Sequence, residues 1–320
     1  MMHRRAVLTL GGAALLAPWV ASADGAAPGF APHVARFGTV GAPPLLFLHG
    51  GPGSNGYSFE ATAAAAVAAR GYRVISFDQR GCGRSQPAPA GSRFTFAEAV
   101  ADIDAVRSAE KLGQVTLVGH SFGGILALHY AAAHPEMVSR VVMVSTPLDF
   151  AATLRTIRRN ARARYGSANP QGVAYLDMID KMDPASTDYA GYTFAHGIAS
   201  GLYMAPALPP EAQARYRAAL ASPQAALLSD AAQAPFVGFV ASEAYTTRNF
   251  APLAKTVAGK TPCQALCGAE DGLFDTAEFD RIRAAIGAAR LTVVPGASHL
   301  VFADQQPAFL DALGPAKPVA

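Results

Sequence analysis

Between Pro44 and Val144 short apolar runs alternate with longer Ala- and Leu-rich stretches, and this rhythm constrains the fold more than any other feature. Residues 45–48, 72–77, 115–118 and 141–144 are too short for helices and are rich in branched and aromatic side chains. Residues 61–69, 96–112 and 125–134 lie between them and read as helices. A strand that must run parallel to its predecessor needs a helix to carry the chain back. The order therefore predicts a mostly parallel sheet flanked by helices on both faces.

Residues 147–260 break the rhythm. No β-rich apolar run occurs there, and prolines from Pro170 to Pro235 cut the segment into short helical pieces. Strand and helix then resume at 263–267, 276–286, 291–294 and 306–313. The expected organisation is one α/β core in two parts, 24–146 and 261–320, with a helical cap of 147–260 inserted between core strands. Such a cap covers the strand ends, where open α/β sheets bind ligands.

Residues 1–23 read as an export segment rather than as part of the fold. His3-Arg4-Arg5 precedes an apolar stretch of about 15 residues, short for a membrane span, and Ala21-Ser22-Ala23 offers a small-residue cleavage site. The paired arginines resemble a twin-arginine signal. Its removal takes the net charge from +3 to +1 and implies a periplasmic or secreted protein with no stable membrane span. With 51% hydrophobic and 15% charged residues the chain is not disordered. It has no basic block of the kind that binds nucleic acid. Cys82, Cys263 and Cys267 read as packing residues. The last two share one expected strand, where four residues span about 13 Å, too far for a disulfide.

The chemistry is carried by Gly119-His120-Ser121-Phe122-Gly123, a G-x-S-x-G set between the run 115–118 and the helix 125–134. A serine on such a strand-to-helix turn is held with its hydroxyl exposed above the sheet. It becomes a nucleophile only when a base removes its proton and an acid orients that base. Asp271 stands just past the run 263–267 and His299 just past 291–294, in the order Ser, Asp, His, so these three are the expected triad. Glu270, Asp275 and Asp149 are rivals for the acid. An oxyanion needs two N–H donors. The backbone of Phe122 supplies one, and Gly51 in His49-Gly50-Gly51-Pro52-Gly53 is the choice for the other.

Three motifs together, His49-Gly50-Gly51-Pro52-Gly53, Asp78-Gln79-Arg80-Gly81-Cys82-Gly83-Arg84-Ser85 and Gly119 to Gly124, resemble the proline iminopeptidase branch of the α/β hydrolases. That resemblance implies the α/β-hydrolase fold and hydrolysis through an acyl-enzyme, with structural roles for Asp78, Arg80 and Arg84. It also implies acidic cap residues that hold a substrate's free amine. Glu243, in Phe239-Val240-Ala241-Ser242-Glu243-Ala244-Tyr245, is similar to one such segment, and Glu211 is the other cap glutamate. The chain departs from the family's pattern in having Phe122 where tryptophan is usual, and its single Trp19 falls in the export segment. The expected activity is that of a serine hydrolase, with an aminopeptidase of proline iminopeptidase type as the leading reading and an esterase or lactonase on a small apolar ester, or a slow-turnover binding protein, as alternatives. The partner expected is a small molecule or short peptide. No metal cluster or nucleotide loop occurs in the sequence, and no cofactor is expected.

Overall fold

The computed structural model describes residues 30–316, so the expected export segment 1–23 lies outside the described residues. Seven strands, β1 (Val34–Phe37), β2 (Pro44–Leu48), β3 (Arg73–Phe77), β4 (Val115–His120), β5 (Val138–Val144), β6 (Cys263–Gly268) and β7 (Leu291–Val294), form one sheet in the order β1-β3-β2-β4-β5-β6-β7. Every pairing is parallel except β1 against β3. β1 was not expected from the sequence. It is a four-residue edge strand, only half-buried, so it carries no apolar run.

The helices alternate with these strands. α1 (Tyr57–Phe59) and α2 (Ala65–Ala69) flank a π-helical turn, Glu60–Ala64, and lead to β3. α3 (Phe96–Ala109) precedes β4 and α4 (Phe122–Ala133) follows it. Between β5 and β6 stand α5 (Phe150–Tyr165), α6 (Pro170–Ile179), α7 (Thr187–Ala199), α8 (Pro210–Leu220), α9 (Gln233–Glu243) and α10 (Ala251–Ala258). α11 (Thr276–Ile286), α12 (Val301–Asp304) and α13 (Gln306–Leu313) complete the chain. The stretch Ala225–Glu243 is long and apolar, but a non-helical break at 229–232 divides it before α9.

Period-two alternation assigns each strand residue to a face. In β2, Leu46 and Leu48 join the layer beneath α3, α4, α10 and α11, while Leu45 and Phe47 join the layer beneath α1, α2, α12 and α13. The second layer is built on stacked rings, with Phe47 and Phe59 centroids 3.8 Å apart and Phe302 edge-on to both. Each such side chain contributes about 1.5–3 kcal/mol by burial. β4 is buried along its whole length, which fixes the centre of the sheet under the residue that follows it, Ser121.

Candidate active site

Ser121 occupies the single-residue joint between β4 and α4, with φ 52° and ψ −124°. A non-glycine residue in that region costs about 1–3 kcal/mol, and it persists here because both neighbouring elements dictate it. Its N–H donates to the Val144 carbonyl at 2.8 Å, and its carbonyl accepts the Gly124 N–H at 3.0 Å. The glycines around it are needed for space. A Cβ on Gly119 would sit 2.5 Å from the Gly123 carbonyl oxygen, and one on Gly123 would collide with the Leu48 carbonyl. Backbone packs on backbone here, and that closeness lifts the Ser121 side chain clear of the sheet.

The turns after β6 and β7 bring the acid and the base together. His299 Nδ1 lies 2.8 Å from Asp271 Oδ2, with both side chains buried. Leu273 N–H donates to Asp271 Oδ1 at 3.0 Å, which fixes the carboxylate plane. With Nδ1–H donating to Asp271, Nε2 is the imidazole's free lone pair. A further histidine holds the loop. His120 Nε2–H donates to the His299 carbonyl at 3.0 Å, and the two rings meet edge to face at 4.9 Å. Burial pushes the His120 pKa well below its usual value, and the neighbouring His299 adds to this, so the positioning ring stays neutral. Among the described residues no hydrogen bond joins Ser121 Oγ to His299. Such contacts commonly tighten only when substrate is bound.

The loop after β2 lies directly beside Ser121. A Cβ on Gly50 would come within 2.8 Å of Ser121 Cβ. The N–H groups of Gly51 and Phe122 have no acceptor among the described residues. Gly51 has φ +116°, a conformation that suits glycine. His49 ties this loop to the next motif. Its Nε2 accepts the Gln79 N–H at 2.9 Å, and Gln79 Nε2 donates to the His49 carbonyl at 2.7 Å. Asp78, fully buried, accepts from Gly56 N, Arg84 N and the Arg84 guanidinium, which also pairs with Glu60. Burial opposes the Asp78 charge, but the Arg84 and backbone hydrogen bonds hold its carboxyl below the usual range. Arg80 pairs with Asp102 in the same way. The second motif is thus a buried ionic frame that clamps the first.

The expected cap carboxylates are Glu243 and Glu211. Glu243 does not present a free carboxylate. Its Oε1 accepts the Phe96 N–H at the start of α3, at 2.8 Å, and its Oε2 pairs with Arg248 at 3.1 Å. Glu211 is exposed in the first turn of α8, where a negative charge suits the helix dipole. Asp149, a rival for the acid, caps α5 through the Ala152 N–H and pairs with Arg281. Asp275 caps α11 and pairs with Arg159, and Glu270 is exposed.

Three residues near the site were not singled out by sequence. The Tyr203 ring meets His299 edge to face at 5.1 Å. Asp304, fully buried, accepts the Ser298 N–H at 2.7 Å, the Ser298 hydroxyl and, at 2.8 Å, the hydroxyl of Tyr216 from α8. Tyr245 packs edge to face on Phe122 at 5.0 Å. An acid five residues past the histidine was the one available signal, and it pointed to Asp304. Single cap tyrosines carried none. Among the described residues no three histidine, cysteine or carboxylate side chains gather as a metal site, and the three cysteines are free and buried.

Sheet order, the serine joint after β4 and the six helices between β5 and β6 together give the α/β-hydrolase fold. The sequence model of the α/β hydrolase fold family matches residues 43–171. The chain is 40% identical over 106 residues to a proline iminopeptidase of Neisseria meningitidis serogroup A, a match that spans 31% of each chain. The same fold is seen in a proline iminopeptidase-related protein of Thermus thermophilus, with TM-score 0.65, 22% identity and coverage of 88% and 91%. It is seen too in an esterase of Exiguobacterium antarcticum, with TM-score 0.58, 20% identity and coverage of 88% and 93%.

Proposed function

We propose that this protein is a serine hydrolase that cleaves an ester or amide through an acyl-enzyme. Ser121 Oγ attacks the carbonyl carbon while His299 Nε2 takes its proton. Asp271 holds the imidazole in the required tautomer and stabilises the cation that forms. The oxyanion accepts hydrogen bonds from the Phe122 and Gly51 N–H groups. His299 then returns its proton to the departing alkoxide or amine, and water attacks the acyl-enzyme by the reverse sequence of transfers. The observation that carries this reading is the buried 2.8 Å His299–Asp271 pair, set in the turns adjoining a strained serine and two uncommitted N–H donors.

An uncharged ester or amide is the leading substrate class. The aminopeptidase reading is second and is supported by the similarity to a proline iminopeptidase. Against it, a desolvated ammonium requires a carboxylate, and Glu243 and Glu211 are engaged elsewhere or solvated. The export segment in the sequence supports a periplasmic or secreted location. The test compares short-acyl nitrophenyl esters with prolyl and alanyl arylamides. Ester turnover that falls about 10³-fold or more in Ser121→Ala is expected. Full activity in that variant would overturn the mechanism, and arylamide turnover exceeding ester turnover would restore the aminopeptidase reading.

A further inference from the structure

Buried polar groups in folded proteins almost always have partners, so clustered exceptions call for an explanation. Among the described residues five buried side-chain atoms lack one: His129 Nε2, Ser145 Oγ, Thr153 Oγ1, Tyr245 Oη and Thr246 Oγ1. Four of the five are hydroxyls on two segments that pair with each other. Phe150 N–H donates to the Arg248 carbonyl at 3.1 Å, and Phe250 N–H to the Leu148 carbonyl at 2.6 Å. The Tyr245 and Phe150 rings meet edge to face at 5.0 Å.

This seam adjoins the nucleophile. His120 pairs with Val144 across β4 and β5, so the next residues, Ser121 and Ser145, continue the two strands side by side. Both have positive φ, 52° and 46°. Of the five non-glycine residues with positive φ among the described residues, Ser145 is the one that stands beside Ser121. On the other side, Tyr245 packs on Phe122, whose N–H is the proposed oxyanion donor. Its phenol is pushed up by burial and then by Tyr203, whose ring lies on His299. The acids bordering the seam are taken. Asp149 serves Arg281 and Ala152 N, and Glu278 serves Leu148 N and Arg281.

We propose that this seam of unpartnered hydroxyls, with Tyr245 as its specificity-determining member, binds the acyl part of the substrate. It selects an uncharged acyl group that carries its own hydrogen-bonding oxygen. This inference rests on the serine hydrolase reading above and names the substrate class of that site. Hydroxyls without a carboxylate suit alkoxy, keto or hydroxy oxygen, and they leave an ammonium without a counter-charge.

The experiment uses two isosteric probes, p-nitrophenyl methoxyacetate and p-nitrophenyl butyrate, which differ by one oxygen for one methylene. Intrinsic reactivity cancels when each variant's ratio of kcat/KM is divided by that of the wild type. Tyr245→Phe should lower the methoxyacetate-to-butyrate ratio about 5- to 10-fold, the effect of one neutral hydrogen bond. Its melting temperature should hold or rise, since an unpartnered buried hydroxyl is removed. Ser145→Ala should lower the ratio in the same direction. An unchanged ratio in both variants, with Ser121→Ala inactive on both esters, would overturn this inference alone. Activity on both esters in Ser121→Ala would overturn the hydrolase reading beneath it.

Discussion

Glu243 separates two accounts of the cap, and its substitution has a calculable cost. Its Oε1 accepts the N–H of Phe96, the first helical residue of α3, while Thr95 Oγ1 caps the Glu98 N–H in the same turn. Glu243, the Thr95 hydroxyl and the Glu98 carboxylate, which accepts the Thr95 N–H, satisfy donors that have no partner within the helix. Its Oε2 pairs with Arg248, whose side chain is 46% exposed, so that pair contributes only about 0.2–1 kcal/mol. In Glu243→Gln the amide oxygen still accepts the Phe96 N–H, and only the ion pair and the charge at the helix N-terminus are lost. The sum is about 1 kcal/mol. Glu243→Ala also leaves the Phe96 N–H without its acceptor and should cost about 2–3 kcal/mol. Urea unfolding of both variants measures this order. Paired kinetics with free-amine and N-acylated arylamides measure the alternative. If Glu243 is a helix clamp, any kinetic loss is equal on the two substrates and follows stability. A tenfold selective loss on the free amine at unchanged stability would refute the clamp.

His129 stacks on Phe96 at 4.0 Å with its Nε2 unpartnered, and burial, helped by Arg248, pushes its pKa down to about 4. The unfolded chain protonates this imidazole near its ordinary value of about 6.5, so the unfolded state gains protons first as pH falls. Stability should drop by about 3 kcal/mol between roughly pH 6.5 and 4. Chemical unfolding of His129→Leu across that range should show a flatter profile than the wild type, and parallel profiles would reject it. Asp304→Ala should destabilise by about 3–5 kcal/mol and lower kcat, because it strands the buried Ser298 N–H and the Tyr216 hydroxyl beside the His299 loop. Asp304→Asn should recover most of both, since its amide oxygen can take the Ser298 donors and its NH₂ can meet the Tyr216 oxygen. Equal loss in the two variants, by thermal melts and steady-state kinetics, would show that the charge itself is required.

Much of the core was legible because its strands are buried on both faces and their apolar runs interrupt helical periodicity. The expected strand 291–294 and helices 276–286 and 306–313 coincide with β7, α11 and α13. β1 was hidden because an edge strand with one exposed face needs no such run. Ser121, Asp271 and His299 could be named because each sits one short turn after a strand, where chain order and spatial position coincide. The cap offered no comparable coordinate. Glu243 stood in a plausible segment, yet its rotamer is decided by an N–H 147 residues earlier in the chain. Tyr203, Tyr216 and Tyr245 reach the site through tertiary packing between helices, and nothing local to their sequence marks the contact.

Gly272, the residue after the proposed catalytic acid Asp271, is tied to the inserted helical segment on both sides. Gly272 donates its N–H to the Leu202 carbonyl at 2.9 Å, and its carbonyl accepts from Asn160 Nδ2 at 2.8 Å. A Cβ there would also press within 2.7 Å of the Leu202 side chain. The acid turn is therefore gripped by the cap through both of its peptide groups. An insertion that roofs the strand ends, where open α/β sheets bind ligands, bears on selectivity. In this chain a replacement roof would inherit a second duty. It must restore an acceptor for the Gly272 N–H and a donor for the Gly272 carbonyl before Asp271 can hold its aim.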